Sequence, residues 1–166
     1  MAVKVPPRGT RGVPFPKFPA WLARFYHRRQ ARGFRERHGG RTQGGVPTLL
    51  LQTVGARTGE RRSAMVGFLE EGPGAWLVIA SLGGAARNPA WLYNLGRNPH
   101  ATVEFGDGRR VEVTAQTLDG DDLDAAWRLI GERAPEYPRY KSKTDRPMPV
   151  VRLQIAAADG GLAQGS

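Results

Sequence analysis

The chain has 166 residues, 40% of them hydrophobic, no cysteine, and a formal net charge of +10. That is the length of one domain able to bury a core, and the missing cysteines exclude disulfides, thiolate metal sites and a cysteine nucleophile. No apolar run approaches the roughly 20 residues that span a bilayer, no secretory apolar core stands at the N-terminus, and His27, His38 and His100 lack ligand spacing, so the expectation is a cytoplasmic protein without a metal.

The charge is unevenly placed. Residues 1–45 carry eleven Lys or Arg and one acidic residue, Glu36, whereas the fourteen basic and fourteen acidic residues of 46–166 cancel. Residues 1–19, rich in Pro, Gly and basic side chains, predict a flexible or extended lead-in. A basic amphipathic helix and linker follow over 20–45, with the helix running from Ala20 to about His38 and stopped by Gly39-Gly40. Trp21, Leu22, Phe25 and Tyr26 share one helical face, with Phe18 just upstream and arginines around the remainder.

From Val46 short apolar runs alternate with turn residues, as in a barrel or sandwich. Strands are predicted at 47–54, 61–70, 75–81, 100–106, 109–118 and 148–155, with hairpin turns at Gly72-Pro73-Gly74 and Gly106-Asp107-Gly108. Asn88 reads as a helix N-cap with Pro89 at the first helical position. Asp119 to Asp122 read as caps for a helix over 122–133, Ala134 to Lys143 as a short or irregular helix, and Asp159 to Ser166 as a frayed tail. The barrel unit is placed at 46–158.

Two glycine-bearing connections carry the chemistry. Ser81-Leu82-Gly83-Gly84 leaves a strand and leads into a helix start, where backbone N–H groups attract anions. Gly55-Ala56-Arg57-Thr58-Gly59-Glu60-Arg61-Arg62 joins two strands and places three arginines beside a tight turn. Two anion-friendly turns flanking one apolar hairpin suit a phosphorylated ligand.

The ordered set of Thr53 to Gly59, Ser81 to Leu95, and Thr144-Asp145-Arg146-Pro147-Met148-Pro149-Val150-Val151 resembles the deazaflavin-dependent nitroreductase family over roughly Pro47 to Ile155. The resemblance implies an α+β, mainly β fold: a split β-barrel of the flavin-mononucleotide-binding type with flanking helices. It implies the coenzyme F420, whose tricyclic deazaflavin carries a ribityl-phosphate linker and a lactyl-oligoglutamate tail. Arg57, Thr58, Gly59 and Arg62 match positions that hold phosphate and tail. Strand alternation separates Arg61 from Arg62, and Arg62 is chosen as the one that reaches the groove. Ser81, Gly83, Gly84, Trp91 and Asn94 match the ring side, where the missing side chains permit close backbone approach; Trp91 reads equally as core packing. Leu82 and Ala56 stand where many relatives carry polar or basic residues, so the charge clamp is thinner, with Arg87 or the basic arm available to compensate.

The implied reaction is hydride transfer from the reduced coenzyme to an electron-poor acceptor: a quinone, an activated alkene or a nitro compound. Tyr137, Tyr140 and Ser81 are the candidates for a hydrogen bond or proton to substrate, with Tyr26 joining the substrate wall if the N-terminal helix folds over it. Thr144, Asp145 and Arg146 read as structural. The N-terminal helix suits a lid with peripheral contact to the inner face of the plasma membrane. No basic stripe with interleaved aromatics marks a nucleic-acid site, and a homodimer is compatible with this barrel type. The alternatives are a flavin-mononucleotide enzyme of the same barrel and a non-catalytic cofactor-binding module.

Overall fold

The computed structural model describes residues 2–157; the tail expected over 159–166 lies outside them. In β1 (Thr48–Val54), Leu49 and Leu51 point to one side and Leu50 to the other, all at most 1% exposed. A strand buried on both faces needs a partner layer on each. The inner layer is the strand's own sheet, closed into a barrel; the outer layer is helical.

The sheet comprises β1, β2 (Arg61–Gly72), β3 (Ala75–Ile79), β4 (His100–Glu104), β5 (Arg110–Thr117) and β6 (Val150–Ile155). They pair antiparallel in the order β1-β2-β3-β6-β5-β4, and β4 closes on β1. Leu49, Leu51, Val78, Val103, Val113 and Leu153 fill the interior. Outside, Phe34 and Ala31 of α1 (Ala20–Glu36) cover Leu50 and Met65. Ala126 and Ile130 of α3 (Gly120–Arg133) and Tyr137 of α4 (Glu136–Ser142) cover Leu77, Ile79 and Val150. Arg35 fixes the end of α1 to the barrel with a bidentate grip on Glu104, closest at 2.9 Å. That guanidinium, with Arg110, holds the Glu104 carboxyl below the usual range. No helix among the described residues is long and apolar enough to cross a membrane.

Several expected boundaries move. The third strand ends at Ile79 rather than 81, because Ser81 adopts helical angles (φ −83°, ψ −41°) at the start of a 3-10 turn over Leu82–Gly84. The last strand starts at Val150 rather than 148: Pro147 and Pro149 bring no donors to the ladder. Asn88 is not the N-cap of α2 (Ala90–Arg97); Pro89 holds that place in extended conformation. The Asn88 carboxamide instead accepts from the Arg146 guanidinium at 3.0 Å and donates to Pro6 O at 2.7 Å. A charged donor is the stronger partner. Asp119 stands at the N-cap of α3 without a side-chain cap bond, its carboxylate 4.0 Å from Lys4, while Asp121 and Asp122 lie in the first turn.

The lead-in is extended and pinned along residues 2–13. Val3 is buried in the barrel core cluster. Gly9 N donates to Ala86 O and Val13 N to Gly84 O, at 2.8 and 2.9 Å. Asp145 accepts the amides of Thr10 and Arg11, and Thr144 donates to Arg11 O at 2.7 Å. A Cβ on Gly12 would collide with the backbone at Ala86, so the strap lies backbone to backbone on the loop.

Candidate active site

On the outer face of β2, beside the Ser81–Gly84 loop and α4, lies a cavity of about 240 Å³. Met65, Gly67, Ser81, Gly83, Trp91 and Tyr137 are among the residues that line it. The outward parity of β2 supplies Met65 and Gly67, and Gly67 is essential to its shape. A Cβ there would run into the Tyr137 hydroxyl, which lies over the β2 backbone. Gly83 adopts φ +63°, and the space where its Cβ would stand is open. A flat group can therefore approach the loop backbone directly. Trp91, 7% exposed, packs in the barrel core cluster and also lines the cavity.

Tyr137 and Tyr140 meet edge to face with ring centroids 5.9 Å apart. Burial, with Glu136 beside it, pushes the Tyr137 hydroxyl well above the ordinary phenol range, so it stays protonated and available as a donor. Burial and Glu136 raise Tyr140 as well, whose hydroxyl donates to Glu136 Oε2 at 3.3 Å. Thr42 donates to the other carboxylate oxygen at 2.5 Å. Glu136 and Thr42 both line the cavity and tie the linker after α1 to α4. Sequence reasoning missed Glu136, Thr42 and Gly67. A glycine inside a strand pattern was the available signal for the last; nothing local marks the other two, which come from segments 94 positions apart.

Tyr26 does not reach this cavity. It is exposed on α1, where its hydroxyl accepts from Gln30 at 2.9 Å. The N-terminal region contributes through Thr42 and Gln43 instead.

The arginine-bearing turn is closed by Gly55 N to Glu60 O (2.7 Å) and Gly59 N to Gly55 O (2.9 Å). Asn94, buried in α2, accepts from Ala56 N at 2.9 Å and donates to Thr53 Oγ1 at 3.0 Å. Its carboxamide thus holds the turn. Arg57, Thr58 and Gly59 are exposed at the tip. Arg62 lies 3.2 Å from Glu60 and 3.5 Å from Thr58 Oγ1, and Arg24 of α1 reaches Glu60 at 3.6 Å. Arg61 shares the strand parity of Met65 and Gly67; Arg62 shares that of Ala64 and Phe68, which pack against the interior. Arg24 and Arg62 both approach Glu60, and Arg57 and Arg61 belong to the same turn, so basic residues outnumber the carboxylate there. Arg87 belongs elsewhere: it donates to Pro16 O and stacks on Phe15, so it serves the strap.

Arg146 is 2% exposed. Nε donates to Ala85 O (3.0 Å), Nη1 to Ala80 O (2.9 Å) and Asn88 Oδ1 (3.0 Å), and Nη2 to Ser81 O (2.9 Å). The Thr144-Asp145-Arg146 motif fixes the strap and the glycine loop.

A closed antiparallel barrel with an outer-face cavity between a glycine loop and a tyrosine helix is the architecture of the split-barrel class. Residues 25–154 match the family described as F420H2-dependent quinone reductase. The F420H2-dependent quinone reductase Rv1261c of Mycobacterium tuberculosis is 40% identical over 125 residues, 74% of this chain and 83% of that protein. Among solved structures, an F420-H2-dependent reductase (FDR-A) is 34% identical with TM-score 0.58, covering 64% of this chain and 93% of its own. Another, described as a domain-swapped dimer, is 30% identical with TM-score 0.60 and coverage of 80% and 99%. The chain belongs to the F420H2-dependent quinone reductase family; it is an oxidoreductase whose cofactor is reduced coenzyme F420.

Proposed function

We propose that the protein reduces a small quinone-type acceptor in the cavity between Gly83 and the Tyr137–Tyr140 pair. When bound, the reduced coenzyme supplies the hydride. The residues present fit it: the open space at Gly83 admits a flat ring, and the arginine rim of the Gly55–Arg62 turn suits a phosphodiester bearing carboxylates. Arg57 and Thr58, with one of Arg61 and Arg62, bind phosphate and tail, and Asn94 keeps the turn shaped for them. Trp91 and Met65 exclude water from the ring side.

A quinone that accepts a hydride becomes an anion and needs one proton to become the hydroquinone. Tyr137, kept protonated by burial, offers a hydrogen bond to the developing oxyanion, and Tyr140, held by Glu136, stands beside it. The observation that carries the reading is the Tyr137 hydroxyl lying over Gly67 in the same cavity as Gly83. The test is stopped-flow oxidation of the bound reduced coenzyme by a soluble menaquinone analogue. Expected is rapid oxidation that slows at least tenfold in Tyr137→Phe; an unchanged rate removes Tyr137 from the reaction.

Trp21 and Phe25 of the arginine-rich α1, with Phe18 just before it, stand 53–69% exposed. That face supports peripheral contact with an anionic membrane, where a lipid-soluble quinone resides. Sedimentation with phosphatidylglycerol vesicles checks it: binding lost in Trp21→Ser/Phe25→Ser supports the contact, and no binding by the unaltered protein contradicts it.

A further inference from the structure

Arg146 is a buried cation with no carboxylate partner among the described residues: no ion pair to it is present, and its contacts are carbonyl oxygens and one carboxamide. Dipoles solvate the charge but do not cancel it, and isolating a cation from water and counter-ion is costly. The Asp145 carboxylate, next in sequence, is turned outward onto Thr10 and Arg11.

The place where this charge sits is informative. Nη2 draws in the carbonyl of Ser81, and in a planar trans peptide the N–H of the next residue points the opposite way. The N–H of Leu82 is thereby aimed away from Arg146, and Leu82 lines the cavity. Leu82 also holds φ +42°, in the left-handed region that a branched hydrophobic side chain rarely adopts. Such a conformation persists only where its surroundings enforce it. Arg146 grips the carbonyls of Ala80 and Ser81 on one side of the turn and of Ala85 on the other.

We propose that Arg146 is a positioning residue for an anionic ring: through the Ser81–Leu82 peptide it aims a backbone donor into the cavity and supplies the fixed positive charge that favours the ionised form of the deazaflavin. The missing counter-ion of Arg146 is then the ligand itself. This rests on the ring occupying the cavity beside Gly83, as argued above. Electrostatic preorganisation of this kind acts strongly because the charge is fixed and excluded from water.

The experiment is an absorbance titration of oxidised F420 bound to the full-length protein, which reads the ionisation of the ring directly, with melting temperature recorded for each variant. Arg146→Gln is expected to raise the bound ring's pKa by about one unit, a tenfold loss in preference for the anion. Arg146→Lys, which keeps the charge, should return most of that shift even where both variants melt at similar temperature. Asn88→Asp keeps Arg146 and places a carboxylate where the carboxamide now lies 3.0 Å from Nη1. It should raise the ring pKa as Arg146→Gln does, and it serves if Arg146→Gln does not fold. A ring pKa unchanged in Asn88→Asp, or shifted equally by Lys and Gln at position 146, overturns the proposal. Gly83→Val separates the two levels. If it leaves F420 binding intact, the ring lies elsewhere and the site reading falls with the inference. If it abolishes binding while ring ionisation ignores position 146, only the inference falls.

Discussion

The carboxamide of Asn94 accepts the backbone N–H of Ala56 at 2.9 Å, so α2 holds the turn that carries Arg57. Helix α2 and the arginine-bearing turn are one mechanical unit. Asn94 is 8% exposed and donates one amide N–H to Thr53, so both ends of its carboxamide are tied to the turn and its strand.

Asn94→Ala should weaken cofactor binding by loosening the turn that carries Arg57. It strands the Ala56 amide and the Thr53 hydroxyl, a loss of about 1–3 kcal/mol. A drop in melting temperature together with roughly tenfold weaker F420 binding is expected from calorimetry; full affinity would show that the turn holds its shape alone.

Gly67→Ala tests the other wall. The added Cβ would displace the Tyr137 hydroxyl from its place over β2. Turnover should fall at least tenfold while F420 affinity changes little, since the arginine turn is untouched. Steady-state kinetics alongside a binding titration separates the two; equal loss in both would place the coenzyme ring against Tyr137.

Tyr137 also sets a pH dependence of stability. Its folded pKa is raised by burial above the ordinary phenol value, so the folded state holds the proton more tightly than the unfolded chain. The contribution is complete below about pH 10 and is lost as pH rises through the folded value. Melting temperature followed from pH 8 to 11 should fall more steeply in the unaltered protein than in Tyr137→Phe. Parallel curves would mean that the hydroxyl is not shielded from water.

Asp145 acts at the opposite end of the pH scale. The hydroxyl and amide of Thr10 and the amide of Arg11 hold its carboxyl down to about 2, against 3.8 ordinarily. The strap contact is complete above the ordinary value and is lost as pH falls toward 2. Asp145→Asn should release the strap at neutral pH, seen as faster tryptic cleavage after Arg8 and Arg11. An unchanged cleavage rate would assign the strap's hold to Val3 and to the backbone bonds at Gly9 and Val13.

The barrel was legible because its signal is local. Short apolar runs such as Leu49-Leu50-Leu51, separated by turn residues, mark strands without reference to the rest of the chain, and ordered motifs marked the glycine loop and arginine turn. The strap was not legible as a packed segment. Its proline and glycine content reads as a flexible lead-in, and the partners that fix it, Asp145, Thr144 and Ala86, lie 73 or more positions away. Asn88 carried a strong local capping signal that a distant buried guanidinium overrode. Glu136 shows the same limit: its role depends on Thr42, which no spacing rule connects to it. The position of Arg62 relative to the cavity is another such case, since alternation separates the two arginines but leaves open which faces the ligand; the barrel puts Arg61 on the parity of Met65 and Gly67.

The central claim is that F420 binds with its ring against the Gly83 loop and its phosphate and tail on the Arg57 turn. Fluorescence titration with oxidised F420 and, in parallel, flavin mononucleotide tests it most directly, in the unaltered protein, Arg57→Ala, Arg61→Ala and Arg62→Ala. The account expects tight binding of F420 over flavin mononucleotide, at least tenfold weaker in Arg57→Ala and in one of the two strand variants. Selective binding of flavin mononucleotide, or F420 binding indifferent to all three arginines, would contradict it.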